Sequence, residues 1–274
     1  MIYRTVMVQL DLDGSPEPRI QFARDVAQRF EADLIGFCAA QPHTPVAPLH
    51  GAIASRELLR RESAEIEARQ KEIQEVFESI AGIGEETSFR AAVGDPTQLL
   101  SESARAADLI VTGIAQDSAR DTFRTVDLGA LILSAGRPVL VASGALEPLK
   151  AERVLVAWKD TREARRAIVD AMPFLVHAKE VVVATIEEDD RVHSRESLAD
   201  VIRYLMKHGV KARSDCVLPA GKEFGDMLST IAFESGADLI VSGGYGHSRL
   251  REWAFGGVTR RLLRASSLHR LLSN

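Results

Sequence analysis

Residues 242–259 combine the residue types and spacing best suited to chemistry, because two groups of glycines flank a loop of fixed length. This stretch, called the glycine loop below, follows the apolar run 238–241 and leads into residues 260–264, which have helical character. Glycine lets a backbone approach a ligand closely and adopt positive φ. The start of a helix offers unpaired N–H groups and the positive end of its dipole, which suit phosphate. The sequence therefore predicts a phosphate-binding loop.

The composition argues against binding to nucleic acid. The net charge is −5, whereas nucleic-acid binders usually have a basic face. Aromatic residues make up 5% of the chain, so stacking platforms for single strands are not expected. Apolar residues make up 46% and charged residues 27%, which is typical of soluble globular proteins.

Metal sites, membrane spans and secretion signals are not indicated either. Cys38 and Cys216 lie far apart in apolar runs without a CxxC pattern, so we expect two buried free thiols in strands and no metal site. No apolar run approaches the length of a membrane span. The first residues do not have the pattern of a signal peptide. We therefore expect a cytoplasmic protein without a membrane partner.

Strand and helix patterns alternate along the chain. Strands are expected at 6–10, 34–39, 87–93, 108–113, 137–142, 153–158, 181–186, 210–217, 238–242 and 268–272. Helices are expected at 20–31, 54–81, 96–106, 126–135, 161–175, 194–208, 223–235 and from the glycine loop to about 265. Asp11 and Asp13 follow the first strand, where we expect a turn and a helix cap, and Asp95 is expected to cap the third helix.

The second half of the chain repeats the first. Residues 107–113 read Ala-Asp-Leu-Ile-Val-Thr-Gly, and residues 237–243 read Ala-Asp-Leu-Ile-Val-Ser-Gly. We therefore expect an α/β protein of two tandem Rossmann-like domains, 1–145 and 151–274, each a parallel sheet with helices on both faces. Such sheets bind ligands beyond the carboxyl ends of the strands, at the switch point in strand order. The glycine loop follows a strand at such an end.

At this point a family resemblance becomes specific. The spacing of Gly243, Gly246 and Gly256 resembles the nucleotide-binding signature of universal stress proteins, and the two halves together resemble a tandem universal stress protein over nearly the whole chain. The resemblance implies the adenine nucleotide alpha hydrolase-like fold, with five parallel strands ordered 3-2-1-4-5 in each domain. It also implies a stress-response protein that binds ATP, ADP or AMP, with or without Mg²⁺. Self-association through the fifth strands is implied too, between the two halves or between two chains.

The resemblance also assigns roles to residues of the second half. Ala157, Lys159 and Asp160 would border adenine and ribose, and Ile186 would contact the base through its backbone. The remaining residues would hold ribose and phosphates, mostly through backbone groups: Ser242, Gly243, Gly246, Gly256, Gly257, Val258 and Thr259.

Several positions depart from the signature of the family. Gly257 stands where Ser or Thr is usual, and Lys159 stands where an acidic residue is frequent, so whether Lys159 or Asp160 reaches the ribose stays open. In the first half, Gln116 replaces the second glycine, and Thr125 with Val126 replaces the later pair. Side chains there should crowd a phosphate. We therefore expect the first half not to bind ATP.

Catalysis is poorly supported, because the chain contains neither a Walker lysine pattern nor a recognised nucleophile motif. We expect at most slow hydrolysis of ATP. Two alternatives to a nucleotide-binding regulatory module remain. One is a nucleotide-independent scaffold or chaperone-like interaction protein with a vestigial site. The other, more weakly supported, is a hydrolase that acts on a small ligand in the altered cleft of the first half.

Overall fold

The computed structural model describes residues 2–43, 52–113, 121–186, 191–217, 224–244 and 268–274 of the 274-residue chain. The chain divides into two compact units. The first-half unit consists of Arg4–Ala135, and the second-half unit consists of Met1–Tyr3 together with Gly136–Asn274. Strands and helices alternate in both, as the sequence predicts.

The first-half unit has a parallel sheet with helices between its strands. Its strands are β1 (Thr5–Leu10), β2 (Asp33–Ala40), β3 (Thr87–Val93) and β4 (Leu109–Thr112). Its helices are α1 (Glu17–Phe30), α2 (Ala52–Ala81), α3 (Pro96–Ser103), which a 3-10 turn at Ala104–Ala106 follows, and α4 (Leu128–Ser134). The strand order is β3-β2-β1-β4, and all the pairs are parallel. The switch in strand order therefore lies between β1 and β4.

The hydrophobic pattern explains why β1 is central. Residues 6–10 are all buried, as is usual for a parallel strand covered by helices on both faces. Helix α1 contributes an apolar stripe that includes Ile20, Phe22 and Val26. The predicted cap of α3 is confirmed, because the Asp95 carboxylate accepts the Gln98 N–H at 2.8 Å.

The second-half unit repeats this pattern and has two more strands, six in place of four. Its strands are β5 (Val139–Val141), β6 (Arg153–Ala157), β7 (Glu180–Ile186), β8 (Ala212–Val217), β9 (Leu239–Gly243) and β10 (His269–Ser273). Its described helices are α5 (Arg162–Leu175), α6 (Arg191–Lys207) and α7 (Phe224–Ser235). Strands β8-β7-β6-β9-β10 are parallel in that order, and β5 pairs antiparallel with β10, so that Leu271 lies opposite Leu140.

The predicted fold class is confirmed: the chain is α/β, with two tandem Rossmann-like halves. In the second half the strand order is 3-2-1-4-5. Strands β3-β2-β1-β4 of the first-half unit follow the first four positions of the same order. The fifth strand along the chain is β5, which belongs to the second-half unit. The antiparallel pair of β5 with β10 is the expected pairing of the two fifth strands. The predicted domain limits, 1–145 and 151–274, stay a prediction.

The aspartate shared by the two repeated sequences has a structural role. Asp108 accepts two main-chain N–H groups at the start of β1, at 2.8 and 3.1 Å. Asp238 accepts those of Glu152 and Arg153, beside the start of β6, at 2.9 and 3.4 Å. Burial raises the pKa of Asp238. Both carboxylates lie at the amino ends of the strands in their own sheets, whereas sheets of this type bind ligands at the carboxyl ends.

Two expectations from the sequence are wrong. Cys38 is buried as predicted, but Cys216 is exposed, because β8 is an edge strand of its unit. Asp11 and Asp13 do not cap α1, which begins after Pro16 without a side-chain cap. Asp11 binds Gln9 and Arg19 instead, at 2.9 and 2.8 Å.

Candidate functional site

The carboxyl ends of β6 and β9 meet at the switch point of the second-half sheet. Ala157 and Ser242 lie opposite each other across these two neighbouring strands. Ile186 ends β7, two residues beyond Ala184, which pairs with Ala157. Three of the predicted site residues therefore come together at the edge where open α/β sheets bind ligands.

The loop after β6 brings two charged residues to the same edge. Lys159 and Asp160 are both exposed to solvent. The Asp160 carboxylate forms an ion pair with Arg165 at 3.3 Å. Thr161 then caps α5, because its hydroxyl accepts the Ala164 N–H at 3.2 Å. This capped turn fixes where the loop ends.

Gly243 packs directly against the first turn of α5. A Cβ atom added at Gly243 would lie 2.6 Å from the Ala164 nitrogen and 2.7 Å from the Glu163 carbonyl carbon. Such distances are shorter than van der Waals contact, and main-chain atoms cannot rotate aside. Helix packing therefore requires a glycine at this position, whether or not a ligand binds here.

Asn274 hydrogen-bonds to Gly244, the residue that follows β9. Its side-chain amide donates to the Gly244 carbonyl at 2.8 Å, and the Gly244 N–H donates to the Ser273 carbonyl at 2.7 Å. The Arg162 guanidinium donates to the side-chain amide oxygen of Asn274 at 3.3 Å and so orients this amide. Gly244 is therefore held by two hydrogen bonds, one from Asn274 and one to Ser273. Nothing in the sequence around Asn274 indicates this role.

Five predicted site residues lie outside the described residues: Gly246, Gly256, Gly257, Val258 and Thr259. The helix expected after the glycine loop and Gln116 of the first half lie outside them too. Thr125 is described, and its hydroxyl donates to the Asp121 carbonyl of its own turn at 2.8 Å. The assigned nucleotide contacts therefore stay predictions.

The described residues offer no group of three or more His, Cys, Asp or Glu side chains suited to a metal ion. None of the helices that the structure describes has the length and hydrophobicity needed to cross a bilayer. A separate shallow cavity of about 480 Å³ lies between the end of α6 and the amino ends of β7 and β8, with Met206, Lys179 and Arg213 among its lining residues. It is at the opposite end of the sheet from Ala157 and Ser242, and so it is not the candidate site.

No family model and no curated protein matches this sequence, but solved structures match its fold. A universal stress protein from Archaeoglobus fulgidus DSM 4304 aligns over 98% of this chain and 96% of its own, with a TM-score of 0.71 and 14% identity. A putative universal stress protein from Pseudomonas aeruginosa UCBPP-PA14 aligns over 99% of this chain and 93% of its own, with a TM-score of 0.61 and 16% identity. The resemblance inferred from the sequence is thus confirmed at the level of the fold.

A universal stress protein solved in complex with cAMP also aligns, over 52% of this chain and 98% of its own. The identity is 23% and the TM-score is 0.36, so the ligand is a property of that protein alone.

Proposed function

We propose that this chain is a tandem universal stress protein that binds an adenine nucleotide in its second half and acts as a regulatory module. One observation carries the proposal. The glycine loop leaves β9 at Gly243 and Gly244, directly after Ser242, which faces Ala157 across the switch point. The spacing of Gly243, Gly246 and Gly256 that suits a nucleotide therefore begins where a sheet of this topology takes its ligand.

The described residues fit a ligand that is held mainly by backbone groups. Ala157 and Ser242 are small, and Gly243 and Gly244 carry no side chains, so a base or ribose at this edge would meet mainly main-chain groups. Lys159 supplies a positive charge at the same edge, whereas the charge of Asp160 is balanced by Arg165.

Titration with ATP, ADP and AMP tests the proposal, with calorimetry as the measurement. We expect Gly246→Gln and Gly256→Val to weaken binding at least tenfold, or about 1.4 kcal/mol, because each side chain would enter the space of the ligand. Gly144→Ala is the matched control, since this exposed glycine has no atom within 4 Å of an added Cβ. The proposal fails if the unaltered chain binds no nucleotide or if both variants bind as it does.

A nucleotide-independent interaction protein is the second candidate. Its specific support is Gly243, because packing against α5 already accounts for this glycine. Under this alternative, adding nucleotide leaves the melting temperature unchanged. A bound nucleotide at 100 times its dissociation constant would instead add about 2.7 kcal/mol of stability and raise that temperature by several degrees.

A further inference from the structure

The side chain of Arg19 lies at the carboxyl ends of β1 and β4 in the first-half unit. One guanidinium nitrogen of Arg19 donates to both the main-chain and the side-chain carbonyl of Gln9, each at 3.0 Å. The other terminal nitrogen binds the Asp11 carboxylate at 2.8 Å. The side chains of Arg19 and Asp11 are 15% and 20% exposed, so this ion pair is largely removed from water. Pairs of this kind are costly to break, since one charge is then left without its partner.

Gln9 is built into the same network and is almost fully buried, with 3% exposure. Its amide nitrogen donates to Asp11 at 2.9 Å, and its amide oxygen also accepts the Thr112 hydroxyl at 2.8 Å. A buried amide is stabilised only when its groups have partners. The ends of β1 and β4 are therefore tied together by polar groups that satisfy one another.

Gly113 shows how closely the guanidinium approaches the end of β4. A Cβ atom added there would lie 2.5 Å from a terminal nitrogen of Arg19 and 2.8 Å from its guanidinium carbon. The matching glycine of the second half, Gly243, meets helix backbone instead. The glycine at the end of the fourth strand therefore packs against a different neighbour in each repeat.

We propose that the guanidinium of Arg19 is a built-in ligand of the first half, which Gln9 and Asp11 hold at the switch point between β1 and β4, and that it closes this place to nucleotides. The planar guanidinium has several donors in a fixed arrangement and satisfies acceptors on two residues at once. A base or ribose placed at the ends of β1 and β4 would have to displace this guanidinium and break its hydrogen bonds to Gln9 and Asp11. This inference does not depend on nucleotide binding by the second half.

Chemical rescue in the full-length chain tests the proposal. Arg19→Ala removes the group that ethylguanidinium reproduces. We expect Arg19→Ala to lower the melting temperature by about 6–20 °C. We expect 10 mM ethylguanidinium to restore at least half of that loss, whereas ethylammonium, which has the same charge without the planar fork, restores none.

Arg29→Ala is the matched control, because Arg29 is an exposed residue of the same helix. Ethylguanidinium should not stabilise this variant. The proposal is overturned if Arg19→Ala melts like the unaltered chain, or if ethylguanidinium acts equally on both variants.

Two further variants keep the test decisive if Arg19→Ala folds poorly. Arg19→Lys retains the charge and still fills the space, so we expect a smaller loss of stability and no response to ethylguanidinium. Gly113→Ala should lower the melting temperature in the unaltered chain by more than it does in the Arg19→Lys background, because the atoms that its Cβ meets belong to the guanidinium. Equal losses in the two backgrounds would contradict the proposed position of Arg19.

Discussion

Substituting Gly243 by alanine should destabilise the second-half unit through a contact that involves no ligand. The added Cβ would lie 2.6 Å from the Ala164 nitrogen and 3.0 Å from the Glu163 Cβ. Relief requires the shorter distance to grow to about 3.4 Å, where ordinary van der Waals contact begins. Because α5 presents main-chain atoms here, the start of the helix and the end of β9 must separate.

The expected cost follows from two opposing effects. Overpacking of a close contact destabilises by about 1–3 kcal/mol. Replacing glycine by alanine also restricts the unfolded chain, which stabilises by about 0.4–1 kcal/mol. The net loss should therefore be about 0–2.6 kcal/mol, and the melting temperature should fall by up to about 10 °C, given about 2–4 °C per kcal/mol for a domain of this size.

Urea unfolding of Gly243→Ala beside Gly144→Ala measures this effect. Gly144 has no neighbour within 4 Å of an added Cβ, so only the effect on the unfolded chain applies and stability should stay equal or rise slightly. Hydrogen exchange should locate the loss of protection in α5 and β9. Equal stability of the two variants would refute the packing explanation. A Gly243 variant is also unsuitable for testing ligand binding, because a loss of affinity would follow from the shift of α5 alone.

Two other residues of the second-half unit give testable expectations. The Ser143 N–H donates to Nδ1 of His269 at 3.1 Å, and burial lowers the pKa of His269 below its usual value of 6.5, despite opposing interactions with Glu147. The folded state therefore resists protonation, so its stability should be complete above about pH 6.5 and should decline as the pH falls below that value. Unfolding measured between pH 7.5 and 5 should show this decline and a flatter dependence in His269→Gln; equal slopes would contradict it. Asn274→Asp cannot donate to the Gly244 carbonyl, so we expect nucleotide affinity to fall about fivefold, the equivalent of one lost hydrogen bond. Calorimetry measures this loss, and an unchanged affinity would show that Gly244 needs no such support.

The elements with strong local patterns could be predicted from the sequence. Residues 87–93 form β3 as expected, β1 and β7 differ from expectation by one residue at one end, and β2 is longer by one residue at each end. Buried parallel strands are short apolar runs between turns, and helices have an apolar stripe and a cap such as Asp95, so a short window of sequence contains the information. The repeat in turn predicted two similar halves.

The contacts of single side chains could not be predicted in the same way. Arg19 reads as a polar residue of an amphipathic helix, and its role depends on Gln9 and Gly113, which are distant in sequence. Cys216 is followed by the apolar Val217 and Leu218, but the position of β8 at an edge decides its exposure. Asn274 reaches Gly244 only because β10 lies beside β9. In each case the sheet order, rather than the local sequence, determines the outcome.

The two repeats therefore differ in what their glycines can reveal about ligands. Gly113 is explained by the guanidinium of Arg19, and Gly243 is explained by the backbone of α5. Neither glycine alone argues for a nucleotide, although both belong to the repeated sequence. A nucleotide in the second half is supported instead by the later glycines of the glycine loop and by the switch point from which that loop departs. One nucleotide per chain agrees with both proposals, and two would contradict the closure by Arg19. If no nucleotide binds, the proposed role of Arg19 is unaffected, and a nucleotide-independent interaction protein becomes the favoured function of the second half.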